Sequence, residues 1–535
     1  MVQSRHKLNI NNFNYEKLRY LFKRSIHLVV IFLAFSATSG CATADKEDAT
    51  YSSNPNIIIL FVDDMGYGDI GAYNEDSKIP TPHLDNLATE GIRFMDAHAP
   101  GALCHPSRYG LLTGRYPFRT NVNVWPNEPV IEEGRMTIGS ILQNGGYRTA
   151  MVGKWHLGFD ESQAIDKTSE LEQGANFQAA YRQYDADLPL PGGPFDSGFD
   201  SFFGIRASTD IPPYFYIRDD MIVNPPTDTI DDNFSGGHWT NIQGAFWRAG
   251  GIAPDLELID VLPRFIEESI QVIQDHYESG WEQPLMLYVA LPSPHTPWLP
   301  TESFEGRSDA GMYGDFMAMV DAKLGKILQE LENKGKAEET LVIFTSDNGP
   351  VWYDKDIEQF GHDSAGGLRG MKGDVYEGGH RMPFIVRWPG MVEPGSVTNQ
   401  TISFTDLLAT FADITGAELP EDVGEDSFSI LPVLTGTQPE SEAIRPPVVV
   451  TVGRGMRSIQ DRTWKLIDGL GSGGFTAPAF IEPGPGDPEG QLYNLEEDLA
   501  ETNNLWFDHP EEVERLLNLL DEYDNKGRSR PNDFE

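Results

Sequence analysis

Four largely apolar runs punctuate the chain, and each hands over to polar residues. Ile57-Ile58-Ile59-Leu60-Phe61-Val62 ends in Asp63-Asp64, and Tyr147 to Val152 ends in Gly153-Lys154-Trp155-His156. Leu285 to Ala290 leads to Pro294-His295, and Leu341 to Thr345 leads to Asp347-Asn348. Runs of this length suit strands buried on both faces, so the pattern predicts a parallel sheet sandwiched by helices. Between them Phe316, Val320, Leu324, Ile327 and Leu331 recur at helical spacing. Open α/β sheets bind ligands beyond the carboxyl ends of their strands. The four runs therefore bring Asp63, Asp64, Lys154, His156, His295, Asp347 and Asn348 to one edge.

Residues 160–260 break this rhythm. They are rich in Gly, Pro, Asp and aromatics, as in Pro191-Gly192-Gly193-Pro194 and Pro212-Pro213-Tyr214-Phe215-Tyr216. Long irregular segments within a domain tend to be functional loops, and these either wall a substrate pocket or form a surface insertion. A smaller unit is expected from 446 to 535, after a main domain spanning 54–445. In it Val448 to Val452, Met456 to Ile459 and Trp464 to Ile467 read as short strands of an antiparallel sheet. Glu511 to Tyr523 reads as a closing helix with apolar Val513, Leu516, Leu517 and Leu520. The chain contains no internal repeat.

Composition narrows the partners. In 535 residues, 82 acidic side chains face 40 basic ones, a formal net charge of −42. Such a field repels nucleic acid and anionic membranes at long range. It repels a polyanionic substrate as well, so any positive site must be local. Salt softens that conflict, because screening shortens to roughly 3 Å near 1 M, and the composition points to a saline habitat.

The first residues have the order of an export signal. Lys17, Arg19, Lys23 and Arg24 precede the apolar run Ile26 to Phe35, and small residues lead to Gly40-Cys41. The apolar run is too short to span a bilayer. Thr38-Ser39-Gly40-Cys41 resembles a bacterial lipobox, which implies that residues 1–41 are a lipoprotein signal and that Cys41 takes the lipid. Cleavage near Ala42-Thr43-Ala44 with plain secretion is the alternative, and 42–53 reads as a tether.

The body of the chain holds one cysteine, Cys104, in Leu103-Cys104-His105-Pro106-Ser107-Arg108, followed by Leu111-Leu112-Thr113-Gly114-Arg115. With no disulfide partner, it is either a small buried hydrophobe or a reactive group. Cys-x-Pro-x-Arg with the trailing Leu-Thr-Gly-Arg resembles the signature of type I sulfatases. The resemblance extends over residues 54–525 through Gly-Lys-Trp-His, Ser-Pro-His-Thr-Pro, Ser-Asp-Asn-Gly and Leu-Arg-Gly-Met-Lys-Gly. Leu492-Tyr493-Asn494-Leu495 and Glu501-Thr502-Asn503-Asn504-Leu505 resemble the family's carboxyl-terminal pattern. The fold implied is that of the alkaline-phosphatase superfamily, a mainly parallel sheet sandwiched by helices, with a smaller α+β subdomain.

The resemblance also implies a chemistry. Cys104 would be oxidised by a maturation enzyme to formylglycine, whose hydrate attacks the sulfur of a sulfate ester; the second hydroxyl then expels sulfate. Asp63, Asp64, Asp347 and Asn348, with the modified Cys104, would hold Ca²⁺, a cation that prefers such oxygen ligands. Arg108 would orient the hydrate, Lys154 and Lys372 would bind sulfate oxygens, and His156 would be the general base. His295, with Lys372, would protonate the departing alcohol. Ser208 resembles a position that touches sulfate, and Arg369, His380 and Arg381 are either substrate contacts or packing. A helix from Ser107 to Thr113, starting after Cys104, would aim backbone N–H groups at the anion. Export and acidity suggest a sulfated algal polysaccharide as substrate. Two other readings stay open here: a phosphate or phosphonate ester hydrolase of the same superfamily, and a non-catalytic glycan-binding protein.

Overall fold

The apolar runs form the middle of one sheet. In the computed structural model, which describes residues 54–125, 128–165, 181–234 and 245–531, the described residues make one compact unit. The export segment 1–41 with Cys41, and the tether 42–53, lie outside the described residues. Seven strands carry the main sheet: β1 (Asn56–Asp63), β2 (Ile92–His98), β3 (Arg148–Lys154), β4 (Ser201–Ile205), β5 (Leu285–Pro294), β6 (Thr340–Ser346) and β7 (Arg381–Arg387). Their order is β2-β7-β6-β1-β5-β3-β4, and short strands extend both edges to eleven. The centre, β6-β1-β5-β3-β4, is parallel. Only β7 runs antiparallel between β6 and β2.

Every residue of β1, β5 and β6 is buried, as expected of strands covered on both faces. One helical layer comprises Pro82–Glu90, Val261–Glu278 and Gly311–Asn333, which pack on one another. The last of these carries the stripe Phe316, Val320, Leu324, Ile327 and Leu331, all buried. The other layer comprises Cys104–Thr113, Ile138–Asn144 and Asp406–Thr415.

Two expectations need correction. The helix after the cysteine starts at Cys104 itself, three residues earlier than Ser107, because Pro106 is tolerated in the first helical turn. The irregular region 160–260 also contributes β4, which pairs in parallel with β3 and so belongs to the main sheet.

A second, antiparallel sheet is built from β8 (Val448–Thr451), β9 (Arg457–Gln460), β10 (Trp464–Ile467) and β11 (Gln491–Asn494). The helix Pro510–Lys526 closes it, with Val513, Leu516, Leu520 and Tyr523 packed against Val449, Ile459, Leu466 and Leu492. β11 coincides with the Leu-Tyr-Asn-Leu segment that the sequence marked only as a motif. No helix among the described residues is long and apolar enough to cross a membrane.

Candidate active site

Strand register assembles the site. Val62 of β1 is paired with Ser346 of β6, so Asp63 and Asp347 leave the sheet side by side. On the other flank Asp63 is paired with Pro294 of β5, which places His295 beside Asp64. β3 follows β5, and its Gly153 lies so close to β5 that a Cβ there would come 1.9 Å from the carbonyl oxygen of Ala290. Only glycine allows Lys154 and His156 to exit at this depth. Asp64 and His156 both adopt left-handed backbone, φ 61° and 62°. That conformation costs a non-glycine residue about 1–3 kcal/mol and concentrates at functional sites.

Cys104 is buried at the first position of its helix. Its Sγ lies 3.5 Å from Asp63 Oδ1, and Lys372 Nζ approaches it to 3.3 Å. One turn on, Arg108 is buried between two carboxylates: Nη2 lies 2.8 Å from Asp63 Oδ2 and 2.9 Å from Asp347 Oδ2. Its Nη1 donates to the carbonyl of Lys154 at 3.1 Å. Lys154 Nζ pairs with Asp63 and donates to Ser208 Oγ, while Lys372 Nζ pairs with Asp64 at 2.6 Å. Asn348 donates to Asp64 Oδ1 at 2.7 Å.

The charges are strongly coupled. Burial alone would raise the pKa of Asp63, but Lys154 and Arg108 outweigh it and hold the carboxyl well below its usual range. For Asp347, burial and the neighbouring Asp63 charge win, and its pKa rises to about 6. Burial, then the charges of Asp347 and Asp63, push the Cys104 thiol far up. An unmodified Cys104 is therefore a protonated thiol and a poor nucleophile.

His156 is buried with neither ring nitrogen hydrogen-bonded among the described residues. Burial, followed by Lys154, drives its pKa well below the usual histidine value, so the ring is neutral. Trp125 meets it edge-on at 4.5 Å, and His105 stacks on Trp125 and lies 5.8 Å from the His156 ring. His295 Nε2 lies 3.5 Å from Asp64 Oδ2, and its Nδ1 lies 2.7 Å from the Thr296 carbonyl. A carbonyl only accepts, so Nδ1 carries a proton and Nε2 is the atom free to exchange one.

The donor set suits a hard cation. Oxygens of Asp63 and Asp64, Cys104 Sγ and a ring nitrogen of His295 lie within 4.8 Å of one another. Asn348 Oδ1 beside them is buried with no hydrogen-bond partner among the described residues. An orphaned amide oxygen next to crowded carboxylates fits Ca²⁺ or Mg²⁺ ligation.

The structure thus gathers Asp63, Asp64, Cys104, Arg108, Lys154, His295, Asp347, Asn348 and Lys372 through direct contacts, with His156 following Lys154 and Ser208 bonded to it. It places the remaining named residues elsewhere. Arg381 pairs with Glu377 and Asp96, and His380 Nδ1 meets His98 Nδ1 at 3.0 Å, both in a buried network under the second sheet. Arg369 stacks on Tyr376, 3.8 Å from the ring centre. Residues that the sequence did not mark also line the adjoining cavity, among them Asp210, Arg248, Tyr353 and Phe475. Phe475, an aromatic directly after the glycine-rich run Gly471-Ser472-Gly473-Gly474, carried the one readable signal.

A sulfatase family model matches residues 55–417. The chain is a sulfatase. It is 31% identical over 534 residues to an N-acetylgalactosamine-6-O-sulfatase of Bacteroides thetaiotaomicron, covering 93% of this chain and 99% of that protein. It is 35% identical over 387 residues to human arylsulfatase A, covering 72% and 68%. A solved Bacteroides thetaiotaomicron sulfatase, described in work on metabolism of multiple glycosaminoglycans, superposes with a TM-score of 0.73 at 31% identity. That superposition covers 88% of this chain and 99% of the other. This sulfatase therefore has the superfamily fold expected from its apolar runs and motifs, and is a sulfuric ester hydrolase.

Proposed function

We propose that this sulfatase releases sulfate from a sulfated carbohydrate, using a formylglycine made from Cys104 and a bound Ca²⁺. The observation that carries the reading is the setting of Cys104: its sulfur sits between the Asp63 carboxylate and the Lys372 ammonium. There the thiol itself is disarmed by burial and nearby negative charge. An aldehyde hydrate at this position supplies a nucleophile that the thiol cannot. Asp63, Asp64, Asp347 and Asn348 would hold Ca²⁺, which would supply Lewis-acid chemistry when bound.

The chain's own residues do the rest. Lys154 and Lys372 bind sulfate oxygens and stabilise charge in the transition state, and Ser208 orients Lys154. Arg108 holds Asp63 and Asp347 in place around residue 104. Neutral His156, with free ring nitrogens, accepts a proton beside that residue. His295 gives its Nε2 proton to the departing alcohol oxygen while its Nδ1 keeps its own proton, donated to the Thr296 carbonyl.

The named relatives support a 6-O-sulfate on an amino sugar or its hexose analogue, and the charge of −42 supports a salt-rich setting such as sulfated algal polysaccharide. Export and a lipid on Cys41 would place the enzyme on a bacterial membrane facing the periplasm or exterior. Because Cys104 is buried, the maturation enzyme must reach it before folding is complete. A phosphate or phosphonate ester is disfavoured by the formylglycine-type segment around Cys104.

The test is release of free sulfate, measured by ion chromatography, from defined saccharides sulfated at single positions, using protein coexpressed with a formylglycine-generating enzyme. Release from 6-sulfated sugars is expected. Release from none of the panel overturns the carbohydrate reading, and faster hydrolysis of nitrophenyl phosphate than of nitrophenyl sulfate overturns the sulfate preference.

A further inference from the structure

Beside the catalytic groups lies a cavity of ≈ 330 Å³, near the small end of ligand pockets. Asp64, His295 and Lys372 form its floor, and Asp210, Arg248 and Phe475 also line it. The mechanism above uses none of the last three.

Asp210 is only 6% exposed. Its Oδ2 is paired with Arg248, but its Oδ1 finds no hydrogen-bond donor among the described residues. His295 Nδ1 lies 3.9 Å from Oδ1, beyond hydrogen-bond reach, and that nitrogen is committed to the Thr296 carbonyl. A buried acceptor without a donor costs about 1–3 kcal/mol. A negative charge next to a sulfate-binding site adds repulsion. Both costs are offset if a substrate hydroxyl donates to Oδ1. The pair is also held still, because Arg248 Nη1 donates to the Asp210 carbonyl at 3.1 Å and the Tyr214 hydroxyl donates to the Arg248 carbonyl at 2.8 Å.

Phe475 is 51% exposed, yet its loop is clamped. Thr476 N donates to Asp374 Oδ1 at 3.0 Å, and Val375 N donates to the Ser472 carbonyl at 2.7 Å. A Cβ on Gly474 would come 2.0 Å from the Gly373 carbonyl oxygen, so the two loops touch backbone to backbone. The ring is thus held open to solvent one residue beyond that contact, close to Lys372. An aromatic face near a fixed acceptor and a fixed guanidinium is a recognition set for a pyranose, whose C–H face is apolar and whose hydroxyls both donate and accept.

We infer that Asp210, Arg248 and Phe475 form the subsite that reads the sugar ring carrying the scissile sulfate. Asp210 Oδ1 accepts the hydrogen of a ring hydroxyl near the sulfated carbon, Arg248 donates to oxygen on the same edge, and the ring rests on Phe475. The inference rests on the carbohydrate reading above and assigns its specificity. A site built to bond a hydroxyl rejects analogues that lack it far more strongly than an apolar pocket rejects a missing methylene.

The test compares kcat/KM of the parent, Asp210→Ala, Asp210→Asn and Phe475→Ala on a sulfated monosaccharide, on its single deoxy analogues and on nitrophenyl sulfate. Asp210→Ala is expected to lose about 100-fold more on the saccharide than on the aryl ester, a difference of specificity contacts. One deoxy analogue is expected to reproduce that loss in the parent and to add nothing further in Asp210→Ala. Phe475→Ala, at an exposed ring, carries the same comparison if the Asp210 variants melt early. Equal losses on both substrates, or deoxy and Asp210 losses that simply add, overturn the subsite while leaving the sulfatase reading intact. No release by the parent from any saccharide overturns both.

Discussion

Lys372 Nζ sits 3.3 Å from Cys104 Sγ, across 268 residues of chain. Burial disfavours the Lys372 ammonium, but Asp64 outweighs it and holds the pKa well above the usual lysine value. The residue therefore brings a permanent positive charge to the position where sulfate charge develops. Lys372→Met is expected to lower kcat by about 10²–10³, the cost of losing one preorganised donor. Steady-state kinetics measures it, and a loss confined to KM would assign Lys372 to ground-state binding alone.

Cys104 itself offers a test by mass. In protein from a host with the maturation enzyme, the tryptic peptide around Cys104 is expected about 18 Da lighter than the thiol form, or nearly isobaric with it as the hydrate. Protein made without that enzyme should retain a thiol that alkylates slowly at neutral pH and rapidly after denaturation, because the site is buried and its pKa raised. An active enzyme carrying an intact thiol would sink the formylglycine mechanism.

Calcium is expected to stabilise the fold. With free calcium near 100 times its dissociation constant, linkage adds about 2.7 kcal/mol to unfolding free energy. Chelation should lower both the melting temperature and the activity, and calcium should restore both. Asn348→Ala, which removes the orphaned Oδ1, should need more calcium for the same shift. A melting temperature indifferent to calcium argues against the proposed ligands.

Arg108 lies between two buried carboxylates. Arg108→Ala leaves Asp347 without its guanidinium partner and Asp63 with Lys154 alone, and is expected to cost about 3–5 kcal/mol. Chemical denaturation gives the value, and calcium should recover part of it by supplying the missing charge.

The second sheet contributes a pH-dependent element away from the site. Lys465 Nζ lies between Glu377 at 2.7 Å and Glu501 at 2.8 Å, all buried. Burial, opposed by Lys465 and reinforced by the Glu377 charge, raises Glu501 to about 7 from an ordinary 4.5. A carboxyl with a raised folded pKa binds more protons folded than unfolded, so its stabilisation is present below the unfolded pKa and is lost as pH rises through the folded one. Glu501→Gln, which stays neutral, should gain stability relative to the parent between about pH 5 and pH 8. Parallel unfolding curves across that range would show that Glu501 stays ionised in the fold.

How much was legible beforehand follows from the range of each signal. Apolar runs and helical stripes are local, and the four runs became β1, β3, β5 and β6 with their polar ends at one edge. β2, β4, β7 and β11 were not read as strands: β7 contains Pro383, β11 has only four residues, and the pairing of all four is set by distant neighbours. The motif around Cys104 carried the family, since its residue types are needed in contiguous order on one helix turn.

The sequence by itself determined the parallel core, the residue types delivered to its edge and the sulfatase family. Tertiary structure alone decided which of those side chains meet. Pairing of β1 with both β5 and β6 joined Asp63, Asp347 and His295, and a loop far along the chain brought Lys372 to Cys104. It also decided what remains unpaired among the described residues: Asn348 Oδ1, both nitrogens of His156 and Asp210 Oδ1. An Asp after a strand is a turn former, an ion-pair partner or a ligand according to what faces it across space. That information is non-local, and the chain acquires it only when the sheet closes its register.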